Sequence, residues 1–267
     1  MRTRTLFFIA IFAFSGCGGS VSNNSDKGGS PDSSNANKPL ALIYKGLGSC
    51  SADQGDAGIN GYGCSEASAD VATAAGFQYQ FIGPNDLDNN STPAQVAAIF
   101  QNAKVWIQPG GYANVAAYTM SDRLQTEIVN FVSKGGGYVG FCAGAFMATD
   151  TFGIFSGSTA LYGYSAIRAD LTYTFESVKW NGVNRSIYFE GGPYFYGYDQ
   201  TAEVIATYND SGDTAAVRST YGSGRVFLTG PHVEAPAIWS QENGIQDPDG
   251  SDIDLGVQML KWASGLP

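Results

Sequence analysis

The chain is short of histidine, cysteine and charge. It holds one His and four Cys, and only 14 % of its residues are charged. With a single imidazole, any histidine chemistry has to run through His232. No basic run follows the first four residues, and 24 Asp and Glu against 14 Lys and Arg give a net charge of -10. That balance argues against nucleic acid or an anionic lipid surface as a partner. The chain has no internal repeat, and no motif in it asks for a cofactor or a metal.

The one strongly apolar run near the start, Leu6 to Phe14, falls far below the ~20 residues that a spanning helix needs. It follows the positive segment Met1-Arg2-Thr3-Arg4 and reads as a secretion signal over residues 1–16. Ser15-Gly16-Cys17 comes next and resembles the lipobox of bacterial lipoproteins, in which the cysteine is lipidated. Gly18 follows, where an Asp would suggest inner-membrane retention. The expectation is an envelope protein held to the membrane by lipid on Cys17, at the outer membrane if there are two. Residues 17–38 are Gly, Ser, Asn and Asp with little to bury, which suits a flexible tether. Residues 39–267 are long enough for one α/β domain.

Of the other cysteines, Cys50 and Cys64 share a glycine-rich loop. In an oxidising compartment such a pair reads as a disulfide. A metal site is the poorer alternative, because no other Cys and no His lies nearby.

Short apolar runs at Leu40–Tyr44, Phe77–Ile82, Val105–Ile107 and Tyr138–Phe141 suit buried parallel strands. Helices fit between them over about Glu66–Ala75, over Pro93–Asn102 behind a Thr92 cap, and behind Ser121 with Leu124, Ile128 and Phe131 on one face. This alternation predicts a parallel sheet covered on both faces. From Ala166 the pattern changes to β segments at Ala166–Phe175, Arg185–Glu190, Ala202–Tyr208 and Thr214–Arg218. They predict an antiparallel extension. Val226–Thr229 returns as a core strand, and Ile253–Trp262 closes as a helix. Asp247-Pro248-Asp249-Gly250-Ser251-Asp252 has the oxygen-rich look of a calcium loop without the spacing or closing Glu of an EF-hand. A polar loop that caps the last helix is the better reading.

The chemistry gathers at three strand ends, where open α/β sheets keep their reactive groups. These are Pro109-Gly110-Gly111, Gly140-Phe141-Cys142-Ala143-Gly144, and Pro231-His232-Val233-Glu234. A cysteine at a strand-to-helix turn is presented by the elbow, and the helix N-terminus favours thiolate over thiol. Gly140 and Gly144 frame it where strand and helix cross closely. A histidine followed two residues on by a glutamate supplies a base and a group to orient it.

Together these motifs resemble the class I glutamine amidotransferase-like superfamily. The run from Gly136 to Phe146, with Phe189-Glu190-Gly191-Gly192-Pro193-Tyr194-Phe195, resembles more narrowly the N-terminal domain of biotin-protein ligases and its bacterial relatives. The resemblance implies a flavodoxin-like three-layer α/β sandwich, with a mainly parallel central sheet and an antiparallel β extension. It also implies Cys142 as nucleophile, His232 as base and Glu234 as its orienter, with the amides of Gly111 and Ala143 as oxyanion donors. Val233 stands where the family usually has proline. The resemblance covers nearly the whole mature domain and says nothing of biotin ligation.

Gly110, Glu190 and Tyr194 are candidate substrate contacts, Glu190 as a reader of an amine. Tyr194, Phe195, Tyr196 and Tyr198 either wall a cleft or simply pack. The expected activity is a cysteine hydrolase or acyl transferase acting on a small-molecule or peptide amide. The alternative is a non-catalytic module that binds a ligand or a partner on the same fold.

Overall fold

A computed structural model describes residues 38–50, 62–84, 86–88, 90–163 and 173–267. The expected signal, the tether and the lipidation site Cys17 lie outside these residues.

Strands and helices alternate through the first half: β1 (Leu40–Tyr44), α1 (Cys64–Ala74), β2 (Gln78–Ile82), α2 (Pro93–Phe100), β3 (Ala103–Gln108), α3 (Ala113–Thr119), α4 (Asp122–Ser133), β4 (Gly137–Phe141) and α5 (Ala143–Asp150). A run of strands follows: β5 (Ser158–Leu161), β6 (Thr174–Trp180), β7 (Val183–Phe189), β8 (Pro193–Tyr196), β9 (Glu203–Tyr208), β10 (Thr214–Tyr221) and β11 (Gly224–Thr229). Helices α6 (Ala237–Glu242) and α7 (Ile253–Ser264) close the chain.

The sheet runs β2-β1-β3-β4-β11-β10-β9-β6-β7, with β5 and β8 paired beside β10. The first five strands of this order run parallel to one another, and the pairs from β11–β10 onward are antiparallel. This is the flavodoxin-like strand order, whose switch point lies between β1 and β3. The three-layer α/β sandwich with an antiparallel extension is therefore the architecture of the chain.

Alternation along the buried strands sorts the core into two layers. Ala41, Ile43, Val105, Ile107, Val139 and Phe141 face α1 and α7, while Leu42, Tyr44, Trp106 and Tyr138 face α4 and α5. Helix starts follow the capping chemistry: Thr92 Oγ1 accepts from the Gln95 amide at 3.3 Å, and Ser121 Oγ from the Leu124 amide at 3.1 Å.

Several expectations need correction. Helix α1 starts at Cys64, where the Gly63 amide donates to Glu66 Oε2 at 3.0 Å. Of the β segment expected over 166–175, residues 166–172 lie outside the described residues, and β6 runs on to Trp180. Its hairpin with β7 turns on Asn181 and Gly182, with φ of 46° and 84°, the left-handed pair of a tight two-residue turn. Asp252 stands at the start of α7 without a side-chain cap. It pairs with Arg185 Nη2 at 2.7 Å instead. Among the described residues, no three His, Cys, Asp or Glu side chains converge as metal ligands.

Candidate active site

Strand register explains how distant residues meet. β4 is flanked by β3 and β11, with Gln108 opposite Gly140 and Thr229 opposite Phe141. The loops that leave these strands at Pro109, Cys142 and Gly230 therefore emerge side by side. The Cys142 amide donates to the Thr229 carbonyl at 2.9 Å, which carries the β4–β11 ladder into the turn.

Cys142 has φ 46° and ψ -102°, a left-handed backbone that non-glycine residues rarely hold. It is the elbow between β4 and α5. The crossing is tight: a Cβ on Gly140 would stand 2.7 Å from the Gly144 carbonyl, and one on Gly144 would stand 2.1 Å from the Gln108 carbonyl oxygen. Neither position has room for a side chain. Ala143 opens α5, among the first-turn amides that have no partner inside the helix.

His232 is buried, 3 % exposed, and its amide donates to the Tyr188 carbonyl at 2.8 Å. Its ring meets Tyr188 and Trp239 edge-on, with centroids 6.0 and 5.7 Å away. Nδ1 lies 2.8 Å from Glu234 Oε1. Burial alone would push the imidazole towards its neutral form. The charges of Cys142 and Glu234, with a side-chain hydrogen bond to each, overcome this and hold the ring well above its ordinary value. Glu234 is buried too, and its Oε2 has no hydrogen-bond partner among the described residues. Val233 packs fully into the core beside them.

A third segment seals the site. Past β7, the Glu190 carbonyl faces the Cys142 thiol at 3.7 Å. Gly192 lies so close to Gly230 that a Cβ would stand 2.0 Å from the Gly230 carbonyl oxygen. The Glu190 side chain is partly buried. Burial raises its carboxyl above the ordinary value, and the nearby His232 opposes that shift.

These groups open on a cavity of about 710 Å³. Cys142, His232, Glu190 and Gly111 line it, as does the disulfide between Cys50 and Cys64, whose Cα atoms are 5.3 Å apart. Gly110 lies against the imidazole behind that wall. Tyr194 does not join them; it lines a separate cleft with Tyr162 and Asp213. Phe195 packs edge-on against Phe155 in the core, and Tyr198 tilts onto the same ring. The aromatic wall comes instead from Tyr112, Phe146, Tyr173 and Trp239, and Asp150 adds a carboxylate. Sequence reasoning missed all five. The only local signal was Tyr112, directly after Pro109-Gly110-Gly111.

Solved structures similar to this chain share the amidotransferase fold. Over 83 % of this chain and 98 % of that one, PurLQS from Thermotoga maritima superposes with a TM-score of 0.55 at 16 % identity. A glutamine amidotransferase gives 0.50 at 16 % identity, over 77 % of this chain and 99 % of its own. The fold is thus class I glutamine amidotransferase-like. The family described as biotin-protein ligase, N terminal, matches residues 98–162 and 158–255, and the chain belongs to it.

Among curated relatives, an uncharacterized protein of Chlamydia muridarum is 29 % identical over 161 residues, 50 % of this chain. The biotin–protein ligase of Schizosaccharomyces pombe is 24 % identical over 190 residues, 60 % of this chain. The chain spans 61 % and 29 % of the lengths of these two relatives.

Proposed function

We propose that this protein is a cysteine-dependent amide hydrolase or acyl transferase, working from the envelope side of a membrane to which lipid on Cys17 holds it. The observation that carries the reading is the buried imidazole of His232, 2.8 Å from Glu234 Oε1 and under the direct influence of the Cys142 thiol. An imidazole held towards its charged form by a carboxylate suits a base that must take a thiol proton and later return it.

In the proposed cycle, Cys142 Sγ bonds to the amide carbon as its proton passes to His232 Nε2. The carbonyl oxygen takes up the negative charge facing the Gly111 and Ala143 amides. Collapse breaks the C–N bond, and the His232 proton leaves on the amine. Water, or an acceptor amine or hydroxyl, then gives its proton to His232 as it attacks the thioester carbon; the C–S bond breaks and the leaving Cys142 sulfur takes that proton back from His232. Glu234 keeps the ring in the required tautomer throughout.

A second reading, a module that binds a ligand without turnover, draws on the 4 % exposure of Cys142. Intact-mass measurement after exposure to envelope extract separates the two. An acyl adduct on Cys142, absent from Cys142→Ser, is expected for the enzyme. Ligand retention that ignores Cys142→Ser, with no adduct, supports the binding module. Membrane fractionation tests the anchor, because Cys17→Ser is expected to release the chain to the soluble fraction.

A further inference from the structure

Glu190 is a cavity residue that the proposed thiol cycle does not use. Its carbonyl faces the thiol, but no hydrogen bond or ion pair to its carboxylate is found among the described residues. The groups that respond to its charge all stand around it at the cavity. They are His232 and Tyr173, which line it, and Tyr188, whose ring meets the imidazole edge-on. A partly buried carboxylate is less well hydrated than an exposed one, so a donor brought by a ligand would be favoured there.

The rest of the wall points the same way. Among the described residues no Lys or Arg lines the cavity, while Asp150 adds a second carboxylate. Tyr112 and Tyr173, 58 % and 42 % exposed, offer aromatic faces in the same wall, and such faces attract cations. Among the described lining residues His232 is the one group that can carry a positive charge, and Glu234 already holds it.

We infer that Glu190 selects the substrate: the pocket takes amides or peptides that carry an ammonium group beside the reacting carbonyl, and it turns away acidic ones. The inference rests on the proposed reactivity of Cys142 and names the substrate class of that site. A free α-amine and a lysine-type side-chain amine share this chemistry.

The test uses three methanethiosulfonate reagents of similar size, one carrying a quaternary ammonium, one a sulfonate and one neutral. Each reacts with a thiol to give a mixed disulfide and methanesulfinate. Their rates on Cys142 are followed by intact mass in the full chain without reductant, with Cys142→Ala as the blank.

The native chain is expected to favour the cationic over the anionic reagent well beyond the ratio shown by free cysteine. Glu190→Gln is expected to lower that preference by about tenfold, the lower end of what a focused charge does to an encounter rate. Its rate with the neutral reagent should hold within about twofold, and Glu190→Asp should keep most of the preference. An unchanged ratio in Glu190→Gln overturns the inference and leaves the reactive thiol standing. Equal loss of all three rates overturns it as well, because Glu190 then positions the thiol or imidazole and reads no charge. A thiol silent to all three reagents ends both this inference and the proposed function.

Discussion

The backbone of Gly110 packs flat against the imidazole of His232: a Cβ there would stand 2.5 Å from Cε1 and 3.1 Å from Nδ1. The Cys64 sulfur lies 3.3 Å from the same point. The ring position that pairs with Glu234 is open only because residue 110 has no side chain.

Gly110→Ala therefore has to displace a buried ring that Tyr188 and Trp239 already box in. Overpacking of this kind costs about 1–3 kcal/mol. A melting curve should show that loss. The rate of Cys142 alkylation by iodoacetamide should fall by about tenfold or more, since the proton acceptor is turned away.

Glu234→Gln removes the carboxylate that helps hold the His232 proton. The imidazole value in the folded chain lies above its ordinary 6.5. Its contribution to stability is thus fully present below that pH and is lost as pH rises through the raised folded value. Denaturant melts should show the native chain ahead of Glu234→Gln by most near pH 5–6, with the gap narrowing as pH climbs through the raised value.

Asp252 gives a second test of the same sign, at a residue outside the proposed thiol cycle. Burial raises its carboxyl to about 7 from the ordinary 3.8, with Asp249 and Asp247 adding to the shift and Arg185 opposing it. The folded state binds this proton more tightly than the unfolded one. The contribution is full below ~4 and is lost as pH rises through about 7. Across that window the native chain should lose stability relative to Asp252→Asn, read from urea midpoints at matched ionic strength.

The Cys50–Cys64 bond closes a separation of 14 residues, for which chain entropy alone gives roughly 3 kcal/mol. Reduction, or Cys50→Ser with Cys64→Ser, should lower stability by about that amount. It also frees a cavity wall, so alkylation of Cys142 is expected to change along with the melting temperature.

Much of this arrangement was legible because local signals agreed with tertiary ones. Ala41 to Tyr44 and Tyr138 to Phe141 are wholly buried, so their apolar runs report strands directly. Thr92, Pro93 and Ser121 mark helix starts that the fold uses. Elements that lean on partners stayed hidden. Helix α3 follows Tyr112 and α6 follows Pro236, neither with a side-chain cap. Strand β8 opens on a proline and meets β10 only at Phe195 and Thr214. Asn181-Gly182 was a usable turn signal for the β6–β7 hairpin. Cys142, His232 and Glu234 could be singled out from the sequence, since they lie in the loops that leave the legible strands β4 and β11. The residues around them could not, because Asp150, Tyr173 and Trp239 come from a helix end, a strand edge and a short helix that only the packed chain brings together.

The most direct test is the pH–rate profile of Cys142 with iodoacetamide, in the native chain and in His232→Ala. Rapid alkylation well below pH 8, slowed about tenfold or more by His232→Ala, is the expected result. A profile that follows a free thiol titrating near ~8.5, and that ignores the loss of the imidazole, would contradict it.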